Sequence, residues 1–169
     1  SYSTLEDLIK NKIIEVGRGD VISKIDINNN PGANPIYSSS SKNGGKMGEY
    51  SKYMFNEELI TWSIDGGGKF FYKKKHKFSV TNVCGYIKRK DQSIDLKYLH
   101  EVLDYQHRHL NFDYQFKAHP SVIEKLYVVP LLPLKKQLKI ASVLISLDEI
   151  INKDDQEFSK LNDLKKSLL

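Results

Sequence analysis

The sequence predicts an α+β fold: a mostly β domain with flanking helices, followed by one long C-terminal helix that pairs as a coiled coil. Three observations predict it. From residue 16 to about residue 129, short runs rich in aromatic and β-branched residues alternate with Gly, Asn and Ser, the texture of strands and turns. Pro130 and Pro133 then close that region. Beyond them no Gly or Pro interrupts residues 134–169, and Ile140, Leu144, Leu147, Ile151, Phe158, Leu161 and Leu168 recur in the three-four alternation of a helix with one apolar stripe.

In chain order, a helix is expected over residues 5–12. Strands are expected over 35–37, 58–63, 69–72, 78–81, 84–88 and 125–128. A second helix is expected over 96–109, where Asp95 stands as a cap before Leu96, Leu99, Val102 and Leu103 at helical spacing; its apolar face packs on the sheet. The final helix, residues 134–169, reaches on the order of 50 Å, farther than one globular domain covers, so it requires a partner. The alternative is a stripe that folds back on its own domain. The division expected is a domain of residues 1–133 and a helix of 134–169.

At 169 residues the chain is long enough for one domain plus an appended element, with no need of a covalent staple. Its single cysteine, Cys84, sits in an apolar run and reads as core. With one cysteine, no arginine-led apolar leader and no stretch of about 18 apolar residues, the setting expected is cytoplasmic and away from the membrane. The net charge is +5, and the cations are gathered. Residues 69–77 carry Lys69, Lys73, Lys74, Lys75, His76 and Lys77 with no acid among them, and Lys88, Arg89 and Lys90 follow. A cationic hairpin of this kind suits a polyanion; the bland alternative is a solvated, lysine-rich hairpin.

The helical seam allows a specific geometry. With Ile151, Phe158 and Lys165 at a, the d positions are Leu147, Asp154, Leu161 and Leu168. In an antiparallel pair with its two-fold axis midway between Phe158 and Leu161, Phe158 lies on Leu161, Ile151 on Leu168, and the two misfit charges, Asp154 and Lys165, on each other.

Three stretches together resemble the specificity (S) subunits of type I restriction-modification systems. The first is NPIYSSSSKNGGKMGEY, with Pro35, Ile36, Tyr37 and Ser38 ahead of Gly44, Gly45, Gly48 and Tyr50. The second is ELITWSIDGGGKFFYKKKHKFSVTNVCGYI, with Trp62, Asp65, Gly66, Gly68, Ser79, Val80 and Val83. The third is VVPLLPLKKQLKIASVLISLDEII, similar to the run that opens the family's spacer helix, although Leu132 and Lys136 stand where relatives often carry a second proline and an acid. The resemblance runs from about residue 4 to the end. Full S subunits resemble two target-recognition domains and two helices in tandem, whereas this sequence has one of each. Either two copies associate as a homodimer through their helices, or the sequence is one half of a longer protein.

The resemblance implies a non-catalytic DNA-binding protein that directs a methyltransferase (M) subunit, and with it a restriction (R) subunit, to a bipartite target on double-stranded DNA. It implies no metal and no cofactor on this chain, with S-adenosylmethionine on the methyltransferase. It turns the glycine-rich run into a DNA-facing loop, with Tyr37, Ser39, Ser40, Lys42, Asn43 and Lys46 as contacts. Taken alone, Gly44, Gly45 and Gly48 fit neither a P-loop nor a dinucleotide loop, and a flexible turn explains them equally well. Asp65 to Gly68 read as a turn, and the stretch that follows supplies Lys69, Lys73, Lys74, Lys75 and His76 as the first phosphate contacts. Phe70, Phe71 and Tyr72 read as core or sheet flank.

His107 and His109, two apart on a helix, face different ways and do not suggest a metal pair. The cluster reads either as cations at a helix C-terminus or as a DNA-facing group, in which Arg108 with Asn111 and Gln115 could read base edges. His100 and His119 carry no signal. Two other function classes remain: an adaptor acting through its C-terminal helix, and a small nuclease using Asp65 with a histidine.

Overall fold

The computed structural model describes residues 1–40, 43–65, 67–110 and 117–167. The architecture is α+β, with a mixed sheet and a long C-terminal helix. Tyr2–Thr4 (β1) leads into Leu5–Lys10 (α1), the first expected helix. Thr4 and Asp7 form a reciprocal capping box: the Asp7 N–H donates to the Thr4 hydroxyl at 3.1 Å, and the Thr4 N–H to the Asp7 carboxylate at 3.0 Å. Those hydrogen bonds hold the Asp7 carboxyl below its ordinary range.

The chain continues through Ile14–Arg18 (β2), Lys24–Asn29 (α2), Asn34–Tyr37 (β3), Lys46–Tyr50 (β4), Phe55–Ser63 (β5), Phe70–Val80 (β6) and Cys84–Arg89 (β7). The short α2, capped by the Ser23 hydroxyl on the Asp26 N–H at 3.0 Å, has no counterpart in the sequence reading. Leu96–His109 (α3) has the expected bounds, with the Asp95 carboxylate accepting from the Tyr98 N–H at 2.8 Å. Pro120–Leu126 (α4), Val128–Pro130 (β8) and Leu134–Ser167 (α5) complete it.

Two expectations are corrected. The stretch 125–128 is mostly the end of α4, because Pro120 presets the first helical turn and Ile123 turns fully into the core; only Val128 onward is strand. The lysine-rich stretch is not a hairpin in itself: residues 70–77 lie in one continuous strand, the second arm of a hairpin with β5, from Phe55 opposite Phe78 to Trp62 opposite Phe70.

The main sheet runs β2-β7-β5-β6-β3-β4, antiparallel except for the parallel pair β3 and β6. A bridge between Asp20 and Thr81 brings the chain beyond β2 back to the far end of β6, so the sheet curls on itself. Strand alternation divides its apolar residues between two clusters. Ile60, Trp62, Phe70 and Ile87 pack with Leu5, Leu8, Leu99, Leu103 and Ile123 from α1, α3 and α4. Leu59, Phe78, Val80 and Cys84 form a smaller cluster with Tyr37, Phe55 and Tyr86. Trp62 is fully buried, and its indole N–H donates to the Ala118 carbonyl at 2.7 Å.

The first two turns of α5 are packed into the domain, and Asp148 farther along it pairs with Lys97 of α3 at 3.5 Å. Gln137, 1% exposed, accepts the Asp95 N–H at 2.9 Å and donates to the carbonyls of Ser93 and Leu132 at 2.9 and 2.8 Å. Ala141 is buried beside it, whereas every described residue from Ile145 onward is exposed. Where α5 leaves the domain, an apolar groove of about 670 Å³ lies between it and α3, lined by Tyr2, Tyr98, Val102, Leu144 and Ile151. Among the described residues, no helix is long and apolar enough to cross a membrane.

Candidate nucleic-acid interface

Two segments that the sequence reading singled out meet on the side of the sheet that carries the smaller cluster: the glycine-rich connection between β3 and β4, and the lysine-rich strand β6. Asn43, Gly44 and Gly45 follow one another at φ of 49°, 61° and 86°, a left-handed turn that two glycines make accessible. The turn is well fastened. The Ser38 N–H donates to the Gly45 carbonyl at 2.8 Å, the Ser63 hydroxyl to the Ser39 carbonyl at 2.9 Å, and the Thr81 hydroxyl to that of Ser38 at 2.9 Å.

The lysines of β6 divide into two groups. Across from β5, Glu57 faces His76 and Leu59 faces Lys73, so Lys74 and Lys75 together stand opposite the single residue Glu58. This is a β-bulge, the device that re-aims side chains at the margin of a sheet. Lys74 and Lys75 are exposed there, as are Lys77 along the same strand and Lys69 just before it. Lys73, immediately before the bulge, points the other way. It is 6% exposed, its ammonium donates to the Gly44 carbonyl, and it lies 3.7 Å from the Tyr37 ring centroid and 5.0 Å from that of Phe71. Burial draws its pKa down to about 8. Of the lysines expected at phosphate, Lys73 is thus the one whose ammonium is directed into the fold.

No carboxylate among the described residues forms an ion pair with Lys69, Lys73, Lys74, Lys75 or Lys77. The second basic group is neutralised by contrast, with Lys88 on Glu57 at 2.7 Å, Arg89 near Glu58 at 4.0 Å and Lys90 on Glu15 at 3.2 Å. Of these two basic groups, the uncompensated one is that of β6 and the residue before it.

Tyr37 is half-buried with its phenol pushed upward by burial, and its hydroxyl meets His76 Nε2 at 3.0 Å. The other ring nitrogen, Nδ1, faces the Lys74 carbonyl at 2.6 Å and so donates a proton to it. His76 also stacks on Phe78 with centroids 4.6 Å apart. Both ring nitrogens are engaged within the protein, so His76 braces Tyr37 in place of presenting a free edge. Asn43 and Ser40 are exposed, and Lys46 is exposed but paired with Glu49. Lys42, Asn111, Gln115 and Leu168 lie outside the described residues.

The end of α3 is a separate neighbourhood. Arg108 is bound to the buried carboxylate of Asp104 one turn back, with most of its own side chain in solvent. His107 Nδ1 meets the Tyr127 hydroxyl at 2.8 Å, and burial lowers its pKa. The two histidines do not converge, since His109 Nδ1 faces the Tyr105 carbonyl at 2.7 Å. Asp65 is ion-paired with Lys117 at 3.2 Å. Among the described residues, no group of three or more His, Cys, Asp or Glu side chains is placed to hold a metal ion.

Two features escaped the sequence reading: the bulge and the inward turn of Lys73. Both depend on the register of β5 against β6, which no local pattern displays.

A family model described as the type I restriction modification DNA specificity domain matches residues 4–161, nearly the whole chain. The chain belongs to that family. This specificity domain is 32% identical over 143 residues to the type I restriction enzyme MpnII specificity subunit of Mycoplasma pneumoniae, covering 83% of this chain and 43% of the relative. It has the same identity over the same length to S.MpnORF201P of that organism, covering 59% of the relative. The domain thus spans roughly half the length of these relatives. In fold it is similar to the crystal structure of a type I restriction-modification S subunit from M. genitalium, with a TM-score of 0.70 at 15% identity over 90% of this chain and 40% of that one. It is also similar to the HsdS subunit of Thermoanaerobacter tengcongensis, with a TM-score of 0.64 at 12% identity over 90% of this chain and 38% of that one.

Proposed function

We propose that this chain is the DNA-recognition half of a type I restriction-modification specificity subunit, reading sequence without catalysing a reaction. Residues 1–133 hold the duplex and residues 134–169 form the spacer that sets the distance to a second recognition domain. The observation that carries this reading is the set of uncompensated, exposed lysines on and next to β6, Lys69, Lys74, Lys75 and Lys77, on a fold shared with S subunits. Lysines of that kind neutralise phosphates and release counterions, while Ser39, Ser40, Lys42, Asn43 and Lys46 on the glycine-rich loop approach base edges or backbone. Arg108, near the end of α3, and Asn111 add contacts.

The spacer reading is supported by the apolar residues α5 leaves in solvent: Leu147 at 48% exposure, Ile151 at 58%, Phe158 at 67% and Leu161 at 65%. In the antiparallel homodimer, Asp154 pairs with Lys165 across the two-fold axis and Leu168 closes on Ile151. Ile150 and Leu164, one position beside the seam, are also exposed and widen the apolar stripe for a helix of the methyltransferase subunit. That subunit supplies S-adenosylmethionine and the methyl transfer, and a restriction subunit joins the same assembly in the cytoplasm.

The test is to combine the chain with its methyltransferase and map which adenines become methylated in a DNA library. A symmetric, interrupted target supports the homodimer. An asymmetric one supports a half that works beside a different second domain, and no site-selective methylation refutes the recognition role.

A further inference from the structure

The buried lysine of β6 has no structural need to be a lysine. An ammonium removed from water without a carboxylate beside it is costly, and an apolar side chain of similar length fills such a site at least as well. Lys73 is nevertheless 6% exposed, and what its ammonium holds is the Gly44 carbonyl, in the middle of the left-handed turn.

We propose that Lys73 is a positioning residue for DNA binding, fixing the Asn43–Gly45 turn from beneath without itself touching phosphate. The inference rests on the DNA-recognition reading given above. The surroundings of the ammonium support it. Tyr37 from β3 and Phe71 from β6 offer ring faces, and the carbonyl of Gly44 accepts the hydrogen bond. From β7 comes the Cys84 thiol, which burial pushes up to about 12, so it stays neutral. The remaining charged or titratable neighbours are Lys69, which shares the Phe71 ring at 5.4 Å, Lys46, whose charge acts on Tyr37, and His76, reached through the Tyr37 hydroxyl. All of these are basic or neutral, so the charge on Lys73 serves only the carbonyl and the rings.

A charged donor makes a stronger hydrogen bond than a neutral one and alone gains from the ring faces. Loss of the proton near pH 8 therefore loosens the turn. Global stability moves the opposite way. The folded chain binds fewer protons at Lys73 than the unfolded chain does between about pH 8 and the ordinary lysine value of 10.5, so this group favours folding more as pH rises through that window. Loop order and overall stability are thus separable.

The experiment compares the wild-type chain with Lys73→Met and Lys73→Arg. Amide exchange at Ser38 and Gly45 is measured in the free chains at pH 7 and pH 9, corrected for intrinsic rates, and affinity for duplex DNA is measured across a salt series. Lys73→Met is expected to speed exchange in the loop at pH 7, to weaken DNA binding about tenfold and to leave the melting temperature unlowered. Lys73→Arg, still charged at pH 9, is expected to keep loop protection that the wild type loses there. Unchanged loop exchange in Lys73→Met overturns the inference, as does a salt slope smaller by about 1 with the loop intact, the signature of a direct phosphate contact. Should Lys73→Met fail to fold, wild-type loop protection that is the same at pH 7 and pH 9 overturns it equally. Failure of the wild type to bind duplex at all overturns the DNA reading and this inference together, which the free-chain exchange data distinguish from failure of the loop mechanism alone.

Discussion

Gln137 on the long helix accepts the backbone N–H of Asp95, the residue that caps α3, at 2.9 Å. The same amide donates to the Ser93 and Leu132 carbonyls, so one buried side chain joins the start of α5, the chain entering it and the start of α3. Through this joint the direction of α5 is tied to the start of α3.

Replacing Gln137 by Leu keeps the volume and strands one buried N–H and two carbonyls. The expected cost is about 3 kcal/mol, read from urea denaturation. Spin labels on the domain and on the distal part of α5 should then report a broader distance distribution. An unchanged distribution means that packing around Ala141 and the Lys97–Asp148 pair set the helix direction without Gln137.

Glu101 predicts an acid sensitivity. Its hydrogen bond with His100 at 3.0 Å, and then that with Lys97 at 2.7 Å, pull its carboxyl down to about 2 from 4.5. The folded pKa is depressed, so the stabilisation is complete above about pH 4.5 and is lost as pH falls toward 2. Glu101→Gln should lower stability at neutral pH by about 2 kcal/mol, after allowance for solvent screening, and should flatten the acid limb of a stability-pH curve.

On the surface of β6, Lys74→Ala and Lys75→Ala are expected to weaken duplex binding severalfold each, with the salt slope reduced by about 1 per lysine and the melting temperature unmoved. Lys90→Ala, whose ammonium pairs with Glu15, is the control and should leave affinity and slope near wild type. Fluorescence anisotropy across a salt series measures both.

The seam of α5 predicts a charge swap. Asp154→Lys and Lys165→Asp should each weaken self-association, and the double variant should restore it, as read by analytical ultracentrifugation. A double variant that associates no better than the singles rules the register out.

Much of this architecture was legible in the sequence, for identifiable reasons. The 3.6-residue period and the Asp95 cap gave α3 its bounds, and the absence of Gly and Pro after Pro133 gave α5. Local pattern misled where pairing decides the outcome. The polar stretch Lys73–Lys77 carries no strand pattern of its own, and its pairing with the preceding strand β5 keeps it extended. The same register turns Lys73 inward and Lys74 and Lys75 outward, a division that a run of identical residues cannot display. Charge composition found the right strand but not the pairings that silence Lys88, Arg89 and Lys90. Gln137 was visible only as one letter of a family motif, since its three partners belong to backbone that the fold brings together.

The most direct measurement is selection from a random duplex library by the purified chain with its methyltransferase, in dilute buffer. Enrichment of one short sequence element, lost when Lys74 and Lys75 are both neutralised, is the result expected. Recovery of no duplex above background, or of duplexes with no common element, contradicts the account.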